Sequence, residues 1–298
     1  MLFMKRFVLI LICAWTFTAG RVSAQVTPDS LEAQQRALVE IPIIRPGFVR
    51  IDEDSALKII DRQPSFGLFR DNYFLTGIPL NRKINGDNAD VKFQLSIRQR
   101  ITQSILPFKT FLYLTVTQKT YWNLYQKSAP FRDMNLNPSI SVGKILIRNN
   151  ELKGVAALSL EHESNGRDSL ANRSWNMVSL SASFFFNPRF KIEGKLWAPF
   201  WIAPENSDIV DRRGIGYVEL HYRSADERLW LSLQMNPRRK FGRINTVFEM
   251  HYKVGPKANQ YWFLQYYNGY GESLMDYDRY VSMLRVGFSI KANFMSVF

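Results

Sequence analysis

From Phe66 to the C-terminus the chain alternates apolar and polar residues. Nowhere beyond residue 66 does it offer the ~18 apolar residues in a row that a membrane-spanning helix needs. Val91, Phe93, Leu95 and Ile97 are apolar, while Lys92, Gln94, Ser96 and Arg98 between them are polar. Leu229, Leu231, Leu233 and Met235 alternate with Trp230, Ser232, Gln234 and Asn236, and Leu284, Val286, Phe288 and Ile290 close the series. A period of two puts successive side chains on opposite faces of a strand, so these stretches are expected to be half-buried strands. Twelve are predicted, near residues 66–77, 91–102, 110–122, 138–148, 152–164, 173–187, 189–200, 213–223, 228–236, 242–254, 258–270 and 280–291. Many match the roughly 9–11 residues of a tilted strand that crosses a bilayer.

The start of the chain is different. Lys5 and Arg6 precede an apolar core from Phe7 to Trp15, and Val22-Ser23-Ala24 is a small-residue cleavage site. This is the pattern of a secretory signal, and residues 1–24 are expected to be removed on export. The only cysteine, Cys13, lies within that segment, so the mature chain would have neither disulfides nor a thiol nucleophile. Loss of Lys5, Arg6 and Arg21 takes the formal charge from +13 to +10. A basic exported surface meets anionic lipid head groups rather than nucleic acid, and the charge also aids solubility. Residues 25–63 are expected to form a periplasmic extension, helical over 31–40 and extended over 41–51.

The connections between strands sort into two kinds. Asn149-Asn150, Asn187-Pro188, Ser224-Ala225-Asp226 and Gly255-Pro256-Lys257 are tight, whereas 78–90, 123–137, 165–172, 201–212 and 271–279 are longer. Outer-membrane barrels have short periplasmic turns and longer outside loops. A soluble β-sandwich would alternate too. The signal, the even strand count, the sorted loops and the final Phe298 favour an all-β fold over residues 64–298, a twelve-stranded antiparallel transmembrane β-barrel of outer-membrane type.

One polar stretch breaks the pattern on the apolar face. Ala156, Leu158, Leu160, His162 and Ser164 share a face, as do Asn176, Val178, Leu180, Ala182, Phe184 and Phe186 on the next strand. A polar group there needs a reason to face lipid. His162 can act as general base for the Ser164 hydroxyl, and Asn176 can hold the imidazole in the right tautomer. A neutral orienter suits this setting, because an ionised Asp beside lipid would carry a large desolvation cost. The loop from Asn165 to Asn172 is rich in oxygen ligands and contains Gly166. Such a loop can offer carbonyls to a hard cation, and the backbone amides of Ser164 and Gly166 are the candidates for an oxyanion. His221 and His251 have no comparable partners and are expected to be structural residues facing the lumen.

The stretch His162-x-Ser164-Asn165-Gly166-Arg167, followed by Arg173-Ser174-Trp175-Asn176, resembles the signature of the outer-membrane phospholipase A family. Asp90-Val91-Lys92-Phe93-Gln94-Leu95-Ser96, Ser128-Ala129-Pro130-Phe131-Arg132 and Asn268-Gly269-Tyr270-Gly271-Glu272-Ser273 agree with it, and the likeness runs from about Pro64 to the end. The resemblance implies hydrolysis of phospholipid acyl esters (A1/A2-type) by a Ser–His–Asn triad, dependence on Ca2+, and activity as a homodimer in the cell outer membrane, with the active site at the extracellular side. Position by position, Ser164, His162 and Asn176 correspond to the triad, and the Arg167 carbonyl and Asn172 to calcium ligands. Ser128 corresponds to the residue contributed by the other protomer, and Gln118 to the polar residue of the dimer interface. Gln118 also shares a face with Leu112, Leu114 and Val116. Two positions depart from the pattern. Glu163 replaces a common glutamine, with a parity that points it inward, and Asn172 replaces a common serine. The competing expectation is a passive, porin-like or structural barrel.

Overall fold

The computed structural model describes residues 52–239, 243–255 and 258–292; the expected signal segment, the helix over 31–40 and the extended stretch 41–51 lie outside the described residues. Period-two patterning produces strands throughout. They are β1 (Phe66–Leu68), β2 (Asn72–Pro79), β3 (Asp90–Arg100), β4 (Phe111–Trp122), β5 (Phe131–Arg148), β6 (Glu151–Ser164) and β7 (Ser174–Asn187). There follow β8 (Phe190–Ile202), β9 (Gly216–Arg223), β10 (Leu229–Pro237), β11 (Ile244–Lys253), β12 (Gln260–Gly269) and β13 (Val281–Ile290). Each strand from β2 to β13 pairs antiparallel with its sequence neighbours, and β2 also pairs with β13, so twelve strands close into a barrel as expected. Closure leaves no free edge, and every strand finds its backbone partners inside the sheet.

The predicted first strand is interrupted. β1 pairs with β3 at Phe66↔Gln99, whereas β2 resumes at Tyr73↔Gln94, two residues out of step. The intervening bulge is tied down by Ser96, whose hydroxyl accepts from Arg70 N at 3.2 Å and whose amide donates to Asn72 Oδ1 at 2.6 Å. β5 also differs, beginning at Phe131 rather than near 138.

The barrel is inside-out relative to a soluble protein. Leu95, Leu158, Leu160, Leu180, Leu196 and Trp262 stand exposed on the outer wall, while Lys92, Gln94, Ser96, Arg98 and Arg285 are buried toward the axis. The lumen retains a cavity of about 410 Å³, lined by charged and aromatic residues including Arg70, Lys119, Glu161, Glu219 and Tyr267. Among the described residues no helix is long and apolar enough to cross a membrane.

The two ends of the barrel differ. One carries the connections 80–89, 123–130, 165–173, 203–215, 238–243 and 270–280; the other carries 149–150, 188–189, 224–228, 254–259 and one longer segment, 101–110. At the first tight turn Asn149 and Asn150 both have positive φ (55° and 59°), the conformation a two-residue hairpin favours.

Helix α1 (Glu53–Asp61) packs against the turn end. The sequence reading assigned no helix there. Asp52 caps it by accepting from Ser55 N at 2.9 Å, and Leu57 and Ile60 bury against Phe111, Tyr113, Ile145 and Trp230. Arg100 holds its C-terminal end, donating to the carbonyls of Ile60 (2.8 Å), Asp61 (2.9 Å) and Gln63 (2.8 Å).

At the loop end, segment 270–280 folds over the lumen. Glu272 meets Arg285 (2.5 Å) and Lys92 (3.1 Å), and Arg285 also clasps Asp90 (2.8 and 2.9 Å). Burial pushes the Glu272 carboxyl up, but Arg285 and then Lys92 overcome it and hold it down at about 2.

Candidate active site on the outer wall

His162 and Asn176 face each other across β6 and β7, and His162 Nδ1 lies 2.7 Å from Asn176 Oδ1. An amide oxygen only accepts, so Nδ1 carries the proton and Nε2 is left with its lone pair free, the tautomer a general base requires. Both side chains are half-buried among exposed Leu158, Leu160, Val178 and Leu180, which places them on the outer wall. Parity along β6 puts Ser164 on the same face, two residues on at the loop end. Among the described residues its hydroxyl makes no hydrogen bond, to His162 or to any other group, so the structure joins His162 to Asn176 and places Ser164 on their face without joining it to them.

A proline shapes this corner. From Leu136 to Leu146 β5 keeps one register with β6, but the ladder opens between the pairs Leu136↔Ser164 and Ser139↔Glu161, where Pro138 stands opposite His162. Pro138 has no N–H to give. Asn137 replaces it, donating from its side-chain amide to the His162 carbonyl at 2.9 Å.

The 165–173 loop is organised by Asn165. Its buried side chain donates to Ala171 O (2.9 Å) and accepts from the amides of Arg173 (3.0 Å) and Arg167 (3.4 Å). Gly166 turns the chain at φ +66° with open space where a side chain would be. Its amide forms no backbone hydrogen bond among the described residues, so it remains free for an oxyanion. The Arg167 carbonyl accepts no hydrogen bond among the described residues, and the Arg167 guanidinium donates to Arg132 O at 2.5 Å. Asn172 donates to Glu205 Oε2 and accepts from Ser174 Oγ, both at 3.3 Å.

The remaining sequence candidates lie farther out. Ser128 is exposed on the 123–130 loop, beside Ala129, whose carbonyl accepts from Trp122 Nε1 at 2.7 Å; no hydrogen bond joins it to Arg167 or Asn172 among the described residues. Gln118 lies on the outer wall, donates to Thr120 Oγ1 at 3.2 Å, and sits level with Ser164 through the pairs Gln118↔Leu136↔Ser164. Two strand spacings separate them, about 10 Å. Glu163 points inward, as its parity requires, and accepts from Arg213 (2.6 Å) and Trp175 Nε1 (2.8 Å). Sequence reasoning gave no role to Asn137, Asn165, Glu205 or Asn206. Asn137-Pro138 was a visible signal, whereas the contacts of Glu205 and Asn206 arise only when the 203–215 loop folds back.

Two further His–carboxylate groups lie in the lumen, Asp71–Glu249–His251 and Glu193–Glu219–His221. Each already contains a lysine: Lys291 pairs with Asp71 and lies 3.2 Å from His251 Nε2, and Lys191 lies 2.5 Å from Glu193. Trp230 Nε1 donates to His221 Nδ1 at 3.2 Å, so His221 turns an N–H rather than a lone pair toward its carboxylates. Both histidines are buried in the lumen, where they were expected.

A closed barrel with an apolar outer wall and a charged interior defines the outer-membrane class of integral membrane proteins. The chain belongs to the phospholipase A1 family: the family model "Phospholipase A1" matches residues 73–290. Phospholipase A1 of Proteus vulgaris is 30% identical over 219 residues, covering 70% of this chain and 71% of that protein. Phospholipase A1 of Salmonella typhimurium is 26% identical over 289 residues, 92% and 97% of the two chains. The match to a putative phospholipase A1 of Neisseria meningitidis (27% identical) takes in 67% of this chain and only 54% of that longer protein. The fold superimposes on outer membrane phospholipase A from Escherichia coli with a TM-score of 0.68 at 24% identity, covering 77% of this chain and 100% of that one. It also superimposes on the Salmonella typhi outer membrane phospholipase, solved as a dimer with bound calcium (TM-score 0.68, 24% identity, 80% and 95% covered).

Proposed function

We propose that this chain is a calcium-dependent outer-membrane phospholipase that hydrolyses acyl esters of phospholipids and lysophospholipids, A1/A2-type, through Ser164, His162 and Asn176. The observation that carries the reading is the 2.7 Å His162–Asn176 hydrogen bond on a lipid-facing wall. The loop end faces outward and the turn end the periplasm, with residues 1–24 removed on export, 25–63 as an extension and 64–298 as the catalytic barrel. Ser164 then lies near the level of the outer-leaflet ester bonds.

In the reaction, Ser164 Oγ attacks the ester carbonyl carbon while His162 Nε2 takes its proton. The oxyanion that forms lies toward the Gly166 and Ser164 amides. Collapse breaks the ester C–O bond, and His162 returns the proton to the departing alcohol oxygen. Water, deprotonated by His162, then cleaves the acyl-serine and releases the fatty acid.

The donor set fits a hard cation. The Arg167 carbonyl, the Asn172 side-chain oxygen and a Ser128 hydroxyl from a second copy are all oxygens, and the Arg167 carbonyl is without a donor among the described residues. Bound calcium would supply positive charge beside the developing oxyanion. A second copy would dock on the outer wall through Gln118 and the flanking Leu95, Val116 and Leu136, the face that carries Ser164. The Salmonella typhi protein was solved as a dimer with bound calcium, which favours a calcium-bound dimer here.

The test is fatty-acid release from phosphatidylcholine vesicles with and without a calcium chelator, comparing wild type with Ser164→Ala. Release that depends on both calcium and Ser164 is expected. Equal release by the two proteins would refute the assignment and favour the passive barrel.

A further inference from the structure

β8 falls out of step beside the triad. Asn176 pairs with Trp201, but the next residue, Met177, pairs with Pro199, so Phe200 is an extra residue with no partner on β7. Proline has no N–H to give the ladder and is tolerated in sheets at edges and bulges. Trp197 packs on Trp175 inside the barrel, and Pro199 stands opposite buried Met177. Unbroken alternation would therefore turn Trp201 into the lumen as well. The bulge turns it outward instead: Trp201 is 44% exposed and Phe200 61%. Beyond them the strand end is pinned on Ser174, where Ala203 N donates to Ser174 O at 2.9 Å and buried Asn206 accepts from Ser174 N at 3.1 Å.

His162, Asn176 and Trp201 thus form one row across β6, β7 and β8. Residues directly opposite on a sheet have Cβ atoms about 5 Å apart, so the indole borders Asn176. Its N–H donates to no group among the described residues. An indole nitrogen only donates, and the acceptors available on a lipid-facing wall at this height are the ester and phosphate oxygens of phospholipids.

We infer that Trp201 is a substrate-binding residue that recognises the second ester of a diacyl phospholipid, its indole N–H donating to that carbonyl oxygen while Phe200 lies along the second acyl chain; the inference rests on the phospholipase reading above. Ser164 acts on one ester at a time, so the rest of the lipid needs a place beside it. On the β5 side of the triad, the outer wall is the face proposed for the second copy. The side left open is β7–β8, where Val178, Leu180, Leu196 and Phe200 offer exposed apolar surface continuous with the triad. A tryptophan suits this place because its ring is apolar and its N–H polar. Anchoring in the membrane interface requires neither a bulge nor a position opposite Asn176. A lysophospholipid has no second ester, so the contact distinguishes the two kinds of substrate.

The experiment is steady-state hydrolysis by the full chain with calcium, in detergent mixed micelles, of a diacyl phosphatidylcholine and of the lysophosphatidylcholine with the same chain length. Trp201→Phe keeps a ring and removes the N–H, and Phe200→Ala removes the chain contact. Tyr280→Leu alters another exposed aromatic at the loop end, beside β13, five strands along from β8. Thermal unfolding midpoints confirm that each variant is folded. Trp201→Phe should raise KM for the diacyl lipid about fivefold or more, the size of one hydrogen bond, with kcat and both lysophospholipid constants within about twofold of wild type. Phe200→Ala should act in the same direction, and Tyr280→Leu should change neither substrate by more than about twofold. Unchanged constants in Trp201→Phe, or equal losses on the two lipids, would overturn the inference while leaving the phospholipase reading in place. If wild type hydrolyses neither lipid, that reading fails and this inference fails with it.

Discussion

On the outer wall, a histidine and an asparagine pair within a field of exposed leucines and valines, with Ser164 beside them. In the lumen, charges are dense and mostly partnered: Arg285 with Asp90 and Glu272, Arg213 with Glu163, Lys195 with Glu161. The same residue types thus have different meanings on the two surfaces. A polar group facing lipid has no solvent to satisfy it, so its presence calls for a chemical purpose. Inside the lumen, polar groups satisfy one another and hold the barrel closed. The contrast predicts that changes on the wall affect catalysis and spare the fold, whereas changes in the lumen do the reverse.

The largest effect should come from His162→Ala, which removes the base and should lower kcat by about 10³-fold or more while leaving the unfolding midpoint near wild type. A midpoint falling as steeply as the rate would break the contrast. In the lumen, Glu272→Gln removes one partner of a buried ion-pair group and should cost about 3–5 kcal/mol of stability, with the folded fraction still hydrolysing lipid. Its pH dependence follows from sign. A carboxyl held at about 2, against an ordinary 4.5, contributes in full above pH 4.5 and loses that contribution as pH falls toward 2. Between pH 5 and pH 2 the urea midpoint of wild type should therefore fall more than that of Glu272→Gln; parallel curves would count against the pairing. Asn176→Ala only loosens the imidazole, so a loss of about 10–100-fold in kcat is expected, smaller than for His162→Ala. The smallest effect should be that of Gln118→Ala, a few-fold weaker self-association by crosslinking in detergent, because one exposed polar contact contributes about 1 kcal/mol. Unchanged crosslinking would move the interface elsewhere.

Much of this was legible in the sequence because alternation is a one-dimensional signal. Lys92 through Arg98 alternate regardless of what lies across the barrel, and His162 and Ser164 inherit their outward direction from Leu158 and Leu160. The start of β5 was not legible. Asp133, Asn135 and Asn137-Pro138 look like loop, yet Asn135 accepts from Leu274 N at 3.0 Å and Asp133 from Met275 N at 2.9 Å, partners some 140 residues away. Helix α1 was missed because its buried face, Ala56, Leu57 and Ile60, is short and gains meaning only against Phe111 and Trp230. Glu205 and Asn206 gave no signal, since the loop that carries them belongs to the site only once the barrel has closed.

The central claim is that one outward-facing hydroxyl, activated by His162, is the nucleophile. Mass-spectrometric mapping after treatment of the full chain with a long-chain alkyl fluorophosphonate tests it most directly. The account predicts a single adduct on Ser164, formed much more slowly in His162→Ala. An adduct on another residue, or one whose rate ignores His162, would contradict it.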